Sequence, residues 1–375
     1  MGDFHVVICG AGVAALEGLL RLRALPGDER AITLVAPNDE FVYRPLAVRE
    51  AMAFGPTRRY ELRGLVESGG ADWLKDTLAW VDVDTRVVHT GGGQELRYDA
   101  LLVAVGGRLV SDFEHALTFR DTEAEKVQRQ VVDDVEEEHA RSIAFVLPEG
   151  PVYPLPAYEL ALMTAAHGRG AGVQGLEIAL VTPEPYPLAV FGGTAGAAVA
   201  ELLMQAGITV YRSARAHVPG TGRLLIQPQG VELTPDRIVA MPRITGPSIR
   251  GLAGGGAHGF IPIDSICAVP GTDGRVFAAG DAADYPIKHG GLGAQQADTA
   301  ALAIAALAGA GVERQRLLPE IRGKLLTGQD PLYLRARLVG AKGFDSEVFD
   351  SPPWPVDDKV VAEELGPYLA GLDSR

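Results

Sequence analysis

The chain has 375 residues, more than one hydrophobic core usually serves, so two or three folding units are expected. Its 48 acidic residues against 34 basic ones give a formal net charge of −14, which argues against nucleic acid or an anionic lipid surface as a main partner. No apolar run reaches the ~18–20 residues of a membrane-spanning helix. The first strand begins at about His5, which predicts that no leader peptide precedes it. These features predict a cytoplasmic protein and leave peripheral membrane contact open.

His5 to Cys9 is a short apolar run, followed at once by Gly10-Ala11-Gly12-Val13-Ala14-Ala15 and an Ala- and Leu-rich stretch to Leu22. The pattern is G-x-G-x-x-A between a strand and a helix. Gly10 permits the sharp turn. Gly12 leaves room for a pyrophosphate on the helix N-terminus, and Ala15 lets helix and strand pack closely. Pro26-Gly27-Asp28 predicts a turn, and Ala31 to Val35 a second strand. The acidic residue that usually holds the adenosine ribose is due about 20 positions past the glycines. Ala36 stands there, so Pro37, Asn38 and Asp39 become the candidates, with Asn38 or Asp39 as the ribose ligand. Trp73 to Val88 predicts a small β excursion that includes a strand over 79–84. Gly91-Gly92-Gly93 predicts a hairpin turn. Tyr98 to Gly107 reads as a buried strand ending in glycines, where Ala104, Val105 and Gly106 allow close backbone approach. Leu117 to His139, with three consecutive Glu at 136–138, predicts a charged surface helix.

Far along the chain, Gly274 to Asp281 predicts a strand ending in Gly280-Asp281, followed by a long Ala-rich helix from Gly293 to Ala308. This resembles the second flavin motif of the FAD-dependent pyridine nucleotide-disulfide oxidoreductase superfamily. The resemblance implies that Asp281 binds the ribityl chain or a phosphate, and that the helix after it points at the pyrimidine edge of a flavin. Phe41-Val42-Tyr43-Arg44-Pro45-Leu46 resembles a stretch of the sulfide:quinone reductase-like and type II NADH dehydrogenase-like branch, where Arg44 and Pro45 would lie along the cofactor. The same resemblance places backbone near Val83 against adenine. It makes Ala104-Val105-Gly106 a cofactor element in which Val105 replaces the usual Thr. It also brings Lys288, His289, Gly291 and Gln295 to the flavin. Lys288 or His289 would approach the ring or donate to a quinone carbonyl.

Arg141 to Leu147 predicts a strand. In pyridine-nucleotide members of the superfamily a second glycine fingerprint follows such a strand. Here Pro148, Pro151, Pro154 and Pro156 stand in that stretch and lack N–H donors, so NAD(P)H binding in the usual mode is doubtful. Pro156-Ala157-Tyr158-Glu159 is similar to the sulfide:quinone reductases, with Tyr153 near the place of a redox cysteine. Glu159 matches a Glu of type II NADH dehydrogenases, where a carboxyl could relay protons to a quinone. Strands over 175–182 and 209–211, with a helix over 195–205 between them, predict a βαβαβ unit, and strands over 224–232 and 237–241 close it.

The two cysteines, Cys9 and Cys267, form no C-x-x-C pair and are expected to be structural. The His residues show no metal spacing, and no metal is predicted. A short helix over 360–372 carries an apolar stripe but lacks a Lys/Arg belt. It favours packing or a homodimer contact over lipid.

The fold class implied is α/β, with two Rossmann-like dinucleotide-binding units. An FAD-binding unit of residues 1–112 and 244–318 is split around an NAD-domain-like unit of residues 113–243. A cap or interface segment follows at 319–375. The leading expectation is an FAD-dependent oxidoreductase that passes electrons from a small-molecule donor to a quinone-like or other small acceptor without a redox disulfide. Two alternatives stay open: an NAD(P)H dehydrogenase with an altered nicotinamide site, and a non-catalytic FAD-binding partner protein.

Overall fold

The computed structural model of the chain describes residues 4–27, 30–254, 258–338 and 344–374. Asp28, expected in a turn, lies outside the described residues. The first layer is a five-stranded sheet in which every neighbouring pair is parallel, in the order Val276–Ala278, Ala100–Val103, Phe4–Cys9, Arg30–Val35, Asp72–Leu74. Its central strands are continuous apolar runs because both faces are covered. Val6, Val7, Ile8 and Cys9, and Ala100 through Val103, are all fully buried. Two helices, Val13–Ala24 and Gly290–Leu307, cover one face together. Small residues let them approach. A Cβ on Gly18 would stand 2.6 Å from the Leu102 side chain, and one on Gly293 would stand 3.0 Å from the Gly280 backbone.

The second layer is another five-stranded parallel sheet, ordered Leu117–Thr118, Arg237–Ala240, Ser142–Val146, Glu177–Val181, Ile208–Tyr211. Helices Leu155–Gly170 and Gly192–Gln205 supply its crossovers. The two sheets are the Rossmann-like units expected from the motifs.

Several elements differ from the expectation. Trp73 belongs to the edge strand of the first sheet, and the β excursion is built from Leu78–Asp82, Val87–Thr90 and Glu95–Arg97. The acidic stretch after Leu117 begins as a strand. Its helical part, from Ala124 to Glu136, buries Val127, Val131, Val132 and Val135, so it is a packed helix with one charged face. Arg223–Gln227 and Val231–Leu233 join Arg215–Gly220 in a separate antiparallel sheet. The long helix starts three residues early, at Gly290.

The C-terminal region holds an antiparallel sheet that was not foreseen: Glu320–Leu325, Leu332–Leu338 and Phe344–Phe349. Ile321, Leu325, Leu334 and Ala336 join the core of the second unit. A Cβ on Gly323 would stand 2.5 Å from the Phe191 ring, so the sheet needs a glycine there to seat against the second unit. The last helix is Leu365–Asp373, later than expected, and Leu365 and Leu369 pack into the core of the first unit.

Candidate functional site

Gly10 has φ +122°, and a Cβ on it would lie 2.1 Å from the Ala104 carbonyl oxygen. Only glycine makes that turn. Gly12 caps the helix Val13–Ala24 with no side-chain hydrogen bond, and the first turn of that helix carries no acidic residue. The space where a Gly12 Cβ would stand is empty for 4 Å around. The N-terminal amides therefore face an opening suited to an anion. That opening is part of a cavity of about 450 Å³ lined by Gly10, Gly12, Pro37, Asn38, Arg44, Pro45, Ala104, Val105 and Gly106. Nine expected residues from four separate stretches thus meet around one space. Thr77, Leu78 and Ile249 line it too and were not foreseen.

The remaining candidates stand elsewhere. Ala15 is fully buried beneath the cradle, as its packing role requires. Val83 packs into a core and does not line the cavity; the excursion reaches it through Thr77 and Leu78 instead. Asp39 turns outward to Lys75, with Nζ 2.6 and 2.7 Å from its carboxylate oxygens, which leaves Asn38 on the cavity wall. Arg44 lines the cavity while its Nε pairs with Asp121 at 3.1 Å.

Gly280, at φ +74°, donates its N–H to Gln296 Oε1 at 2.8 Å, so the Gly-Asp turn is pinned by the long helix. Asp281 is half-buried beside Gly107, which lines the cavity; a Cβ on Gly107 would stand 3.4 Å from the Asp281 Cβ. Burial raises the Asp281 carboxyl, and Lys288 and then Arg44 oppose that. Among the described residues no donor meets its carboxylate.

Lys288 is buried. Its Nζ donates to the carbonyl oxygen of Ala283 at 2.6 Å and lies 3.5 Å from the Phe260 ring centroid. Burial pushes its ammonium down to about 8, against the pull of Asp281 and Asp284. His289 caps the long helix: its Nδ1 accepts the N–H groups of Gly291 at 3.1 Å and Leu292 at 3.4 Å. That assigns the proton to Nε2. Burial, then the nearby Lys359, push the imidazole down to about 4, so it is neutral at pH 7. Lys288 and His289 line a second cavity of about 150 Å³ together with Tyr153, Glu184 and apolar residues such as Val152, Ile287 and Ile321.

Two candidates are engaged in holding the C-terminal region. Gln295 donates to the carbonyl oxygens of Gly291 and Glu320 and accepts the Glu320 N–H, so its amide is spent on the C-terminal sheet. The neighbouring Gln296 holds the Gly-Asp turn. Glu159 is fully buried and lines neither cavity. Both its oxygens lie 2.6 Å from Lys359 Nζ, and Oε1 also accepts the Leu326 N–H. Burial raises its carboxyl, and the Lys359 ammonium opposes that. Lys359 itself was missed. A single Lys in a polar tail carries no motif.

In the second unit, Tyr158 occupies the first turn of the helix that follows the proline-rich loop and is fully buried. Its hydroxyl donates to Glu184 Oε2 at 2.6 Å; Thr182 Oγ1 and the Ala189 N–H donate to the same carboxylate. Beside this helix start the second cavity stays open, walled by Leu147, Tyr153, Pro154, Pro183 and Glu184. Cys9 and Cys267 are free and buried, and burial pushes each thiol up to about 12. Among the described residues no group of three or more His, Cys, Asp or Glu could hold a metal ion, and no helix is long and apolar enough to cross a membrane.

The pattern of one protein family, pyridine nucleotide-disulphide oxidoreductase, matches residues 4–307. Sulfide-quinone reductase of Aquifex aeolicus is 26% identical over 192 residues, which cover 48% of this chain and 44% of that protein. The chain thus aligns with under half the length of this curated relative. The solved structure of the sulfide:quinone oxidoreductase of Aquifex aeolicus superposes with a TM-score of 0.79 at 20% identity, covering 92% of this chain and 87% of that one. NDH2 from Plasmodium falciparum in complex with NADH superposes with a TM-score of 0.61 at 14% identity, covering 75% and 64%. These superpositions show a shared fold.

Proposed function

The chain belongs to the pyridine nucleotide-disulphide oxidoreductase family, and we propose that within it the protein is an FAD-dependent oxidoreductase that passes electrons to a quinone-like or other small acceptor without a redox disulfide. The observation that carries this is the open cradle at Gly12. A helix N-terminus without cap or acidic residue faces a cavity of about 450 Å³ walled by four stretches of the flavin motifs.

In this reading the amides at Val13 and the bare Cα of Gly12 take the pyrophosphate, and Asn38 takes the adenosine ribose. Arg44 and Pro45 lie along the cofactor, and the bare Gly106 lets the chain's backbone come close to it. Asp281, with no protein donor, takes a ribityl hydroxyl. FAD supplies a carrier for an electron pair. The second cavity fits one small ring, since cavities of about 150 Å³ hold a benzene-sized guest. Reducing a quinone consumes two protons with its two electrons. The Lys288 ammonium, held down to about 8, would supply one of them, and the other would leave with the electron pair from the reduced flavin.

The nicotinamide alternative finds less support. The loop before the helix Leu155–Gly170 carries Pro148, Pro151 and Pro154, which lack the N–H donors of a phosphate cradle, and the cavity beside it, about 150 Å³, is smaller than the one of about 450 Å³ at Gly12. The test is the visible spectrum and released-flavin content of the purified protein, with NADH then NADPH added anaerobically. Stoichiometric FAD that neither nucleotide bleaches is expected. A colourless protein that takes up no added FAD refutes the proposal, and rapid bleaching by NADH restores the dehydrogenase reading.

A further inference from the structure

The second cavity is walled largely by apolar groups, among them Val152, Val190, Ile287 and Ile321. Four polar side chains also line it: Tyr153, Glu184, Lys288 and His289. Three of them are engaged elsewhere. Glu184 accepts from the Tyr158 and Thr182 hydroxyls and the Ala189 N–H. Lys288 Nζ donates to the Ala283 carbonyl oxygen at 2.6 Å. His289 spends Nδ1 on the long helix, and its Nε2 is fully covered and faces the backbone of Arg322. Tyr153 is the fourth. It is half-buried, and among the described residues no hydrogen-bond partner meets its hydroxyl. A hydroxyl left unpaired in an apolar wall is costly until a guest pairs with it.

The hydroxyl is also held in place. Tyr153 precedes Pro154, which restricts its backbone to extended conformations. Its ring meets the His289 imidazole edge to face, with centroids 5.4 Å apart and planes at 78°. His289 is fixed in turn by the helix it caps. The cavity adjoins the flavin motif, since Lys288 Nζ on its wall lies 3.4 Å from the Asp281 carbonyl oxygen. Burial first, then Glu159 and Asp281, hold the phenol well above its ordinary range. It therefore keeps its proton, and stays a donor, at neutral and mildly alkaline pH.

We propose that Tyr153 is the acceptor-binding residue of the second cavity: its hydroxyl donates a hydrogen bond to a carbonyl oxygen of a single-ring quinone, whose ring rests on the apolar wall. This inference rests on the reading of the protein as a flavin-dependent reductase of a quinone-like acceptor. As the electron pair arrives, the carbonyl oxygen gains negative charge, and a donor already aimed at it binds more strongly. Tyr153 keeps its O–H bond throughout. The two protons of the quinol come from Lys288 and the reduced flavin, so the balance of the reaction is unchanged. The residue therefore selects by the acceptor's carbonyl. A trianion such as ferricyanide gains nothing from an apolar wall and takes its electrons without entering the cavity.

The test is stopped-flow reoxidation of the dithionite-reduced holoprotein, wild type against Tyr153→Phe, by benzoquinone over a range of concentrations and by ferricyanide. Phe keeps the ring and its contact with His289 and removes only the hydroxyl. The half-saturating benzoquinone concentration should rise about tenfold in Y153F, the worth of one hydrogen bond. The factor should be the same at pH 6 and pH 9, which separates it from the titration of Lys288. Ferricyanide should reoxidise both proteins equally fast. An unchanged half-saturating concentration overturns the proposal, and so does an equal loss with both oxidants, which would mark a disturbed flavin. A wild type that ferricyanide reoxidises and benzoquinone does not would overturn the quinone reading itself, and this proposal with it.

Discussion

Gly10 and Gly12 are both glycines of one motif, yet they answer to different forces. Gly10 is required by its backbone, since any side chain would enter the Ala104 carbonyl. Gly12 is required by what it leaves empty. Gly12→Val should therefore leave the stability of the apoprotein within about 0.5 kcal/mol of wild type, as surface changes do, while weakening FAD binding at least tenfold in a fluorescence titration. Gly10→Val should abolish soluble folded protein. Equal behaviour of the two variants would contradict the cradle. At Lys288 the expectation concerns pH. Reduction of a quinone should slow as pH rises through about 8, where the buried ammonium loses its proton. In Lys288→Met the stopped-flow rate should be lower and flat over that range. The cysteines should be silent: replacing Cys9 and Cys267 together with Ala should leave the rate unchanged, and its loss would restore thiol chemistry.

At the scale of elements, the C-terminal segment of residues 356–374 is held by polar groups as well as by Leu365 and Leu369 in the core. Arg58 pairs with Asp358 and Asp373, Lys324 with Asp357, and Lys359 with Glu159. Among these the Lys359–Glu159 pair is the buried one, and breaking a buried pair from one side costs about 3–5 kcal/mol because a lone charge remains inside. Lys359→Met should destabilise the protein by that order in chemical denaturation. Adding Glu159→Leu to it should recover most of the loss. If the double variant is as unstable as the single one, the cost lies in packing and not in the stranded carboxylate.

These anchors explain what the sequence could and could not disclose. The glycine turn, the Gly280-Asp281 strand end and the two crossovers were legible because each is a local demand of backbone geometry or apolar period. The valine stripe at 127, 131, 132 and 135 was legible too but was outweighed by the acidic residues around it. The sheet of residues 320–325, 332–338 and 344–349 has the alternation of half-buried strands, as in Glu320–Leu325, so it was legible and was overlooked because no motif drew attention to it. The partnership of Glu159 with Lys359, 200 positions apart, has no local signature. Glu159 therefore read as a free carboxyl at a helix start, and Gln295 read as a flavin contact when its amide ties the long helix to Glu320.

Taken as a whole, the two parallel sheets open on cavities of different size, about 450 Å³ at the first and about 150 Å³ at the second. Both parallel sheets present a strand–loop–helix edge. In the first the loop is bare glycine, and in the second it is rich in proline, with Tyr158 bonded to Glu184 behind it. This asymmetry predicts a protein that holds a flavin yet takes its electrons from something other than a nicotinamide. The most direct measurement starts from the holoprotein reduced anaerobically with one equivalent of dithionite. A short-chain benzoquinone is then added in a stopped-flow instrument, and the flavin absorption band is followed. The account predicts that the band returns rapidly, and does so equally in the variant lacking both cysteines. A band that stays bleached in the presence of quinone, or returns only when the cysteines are intact, would contradict it.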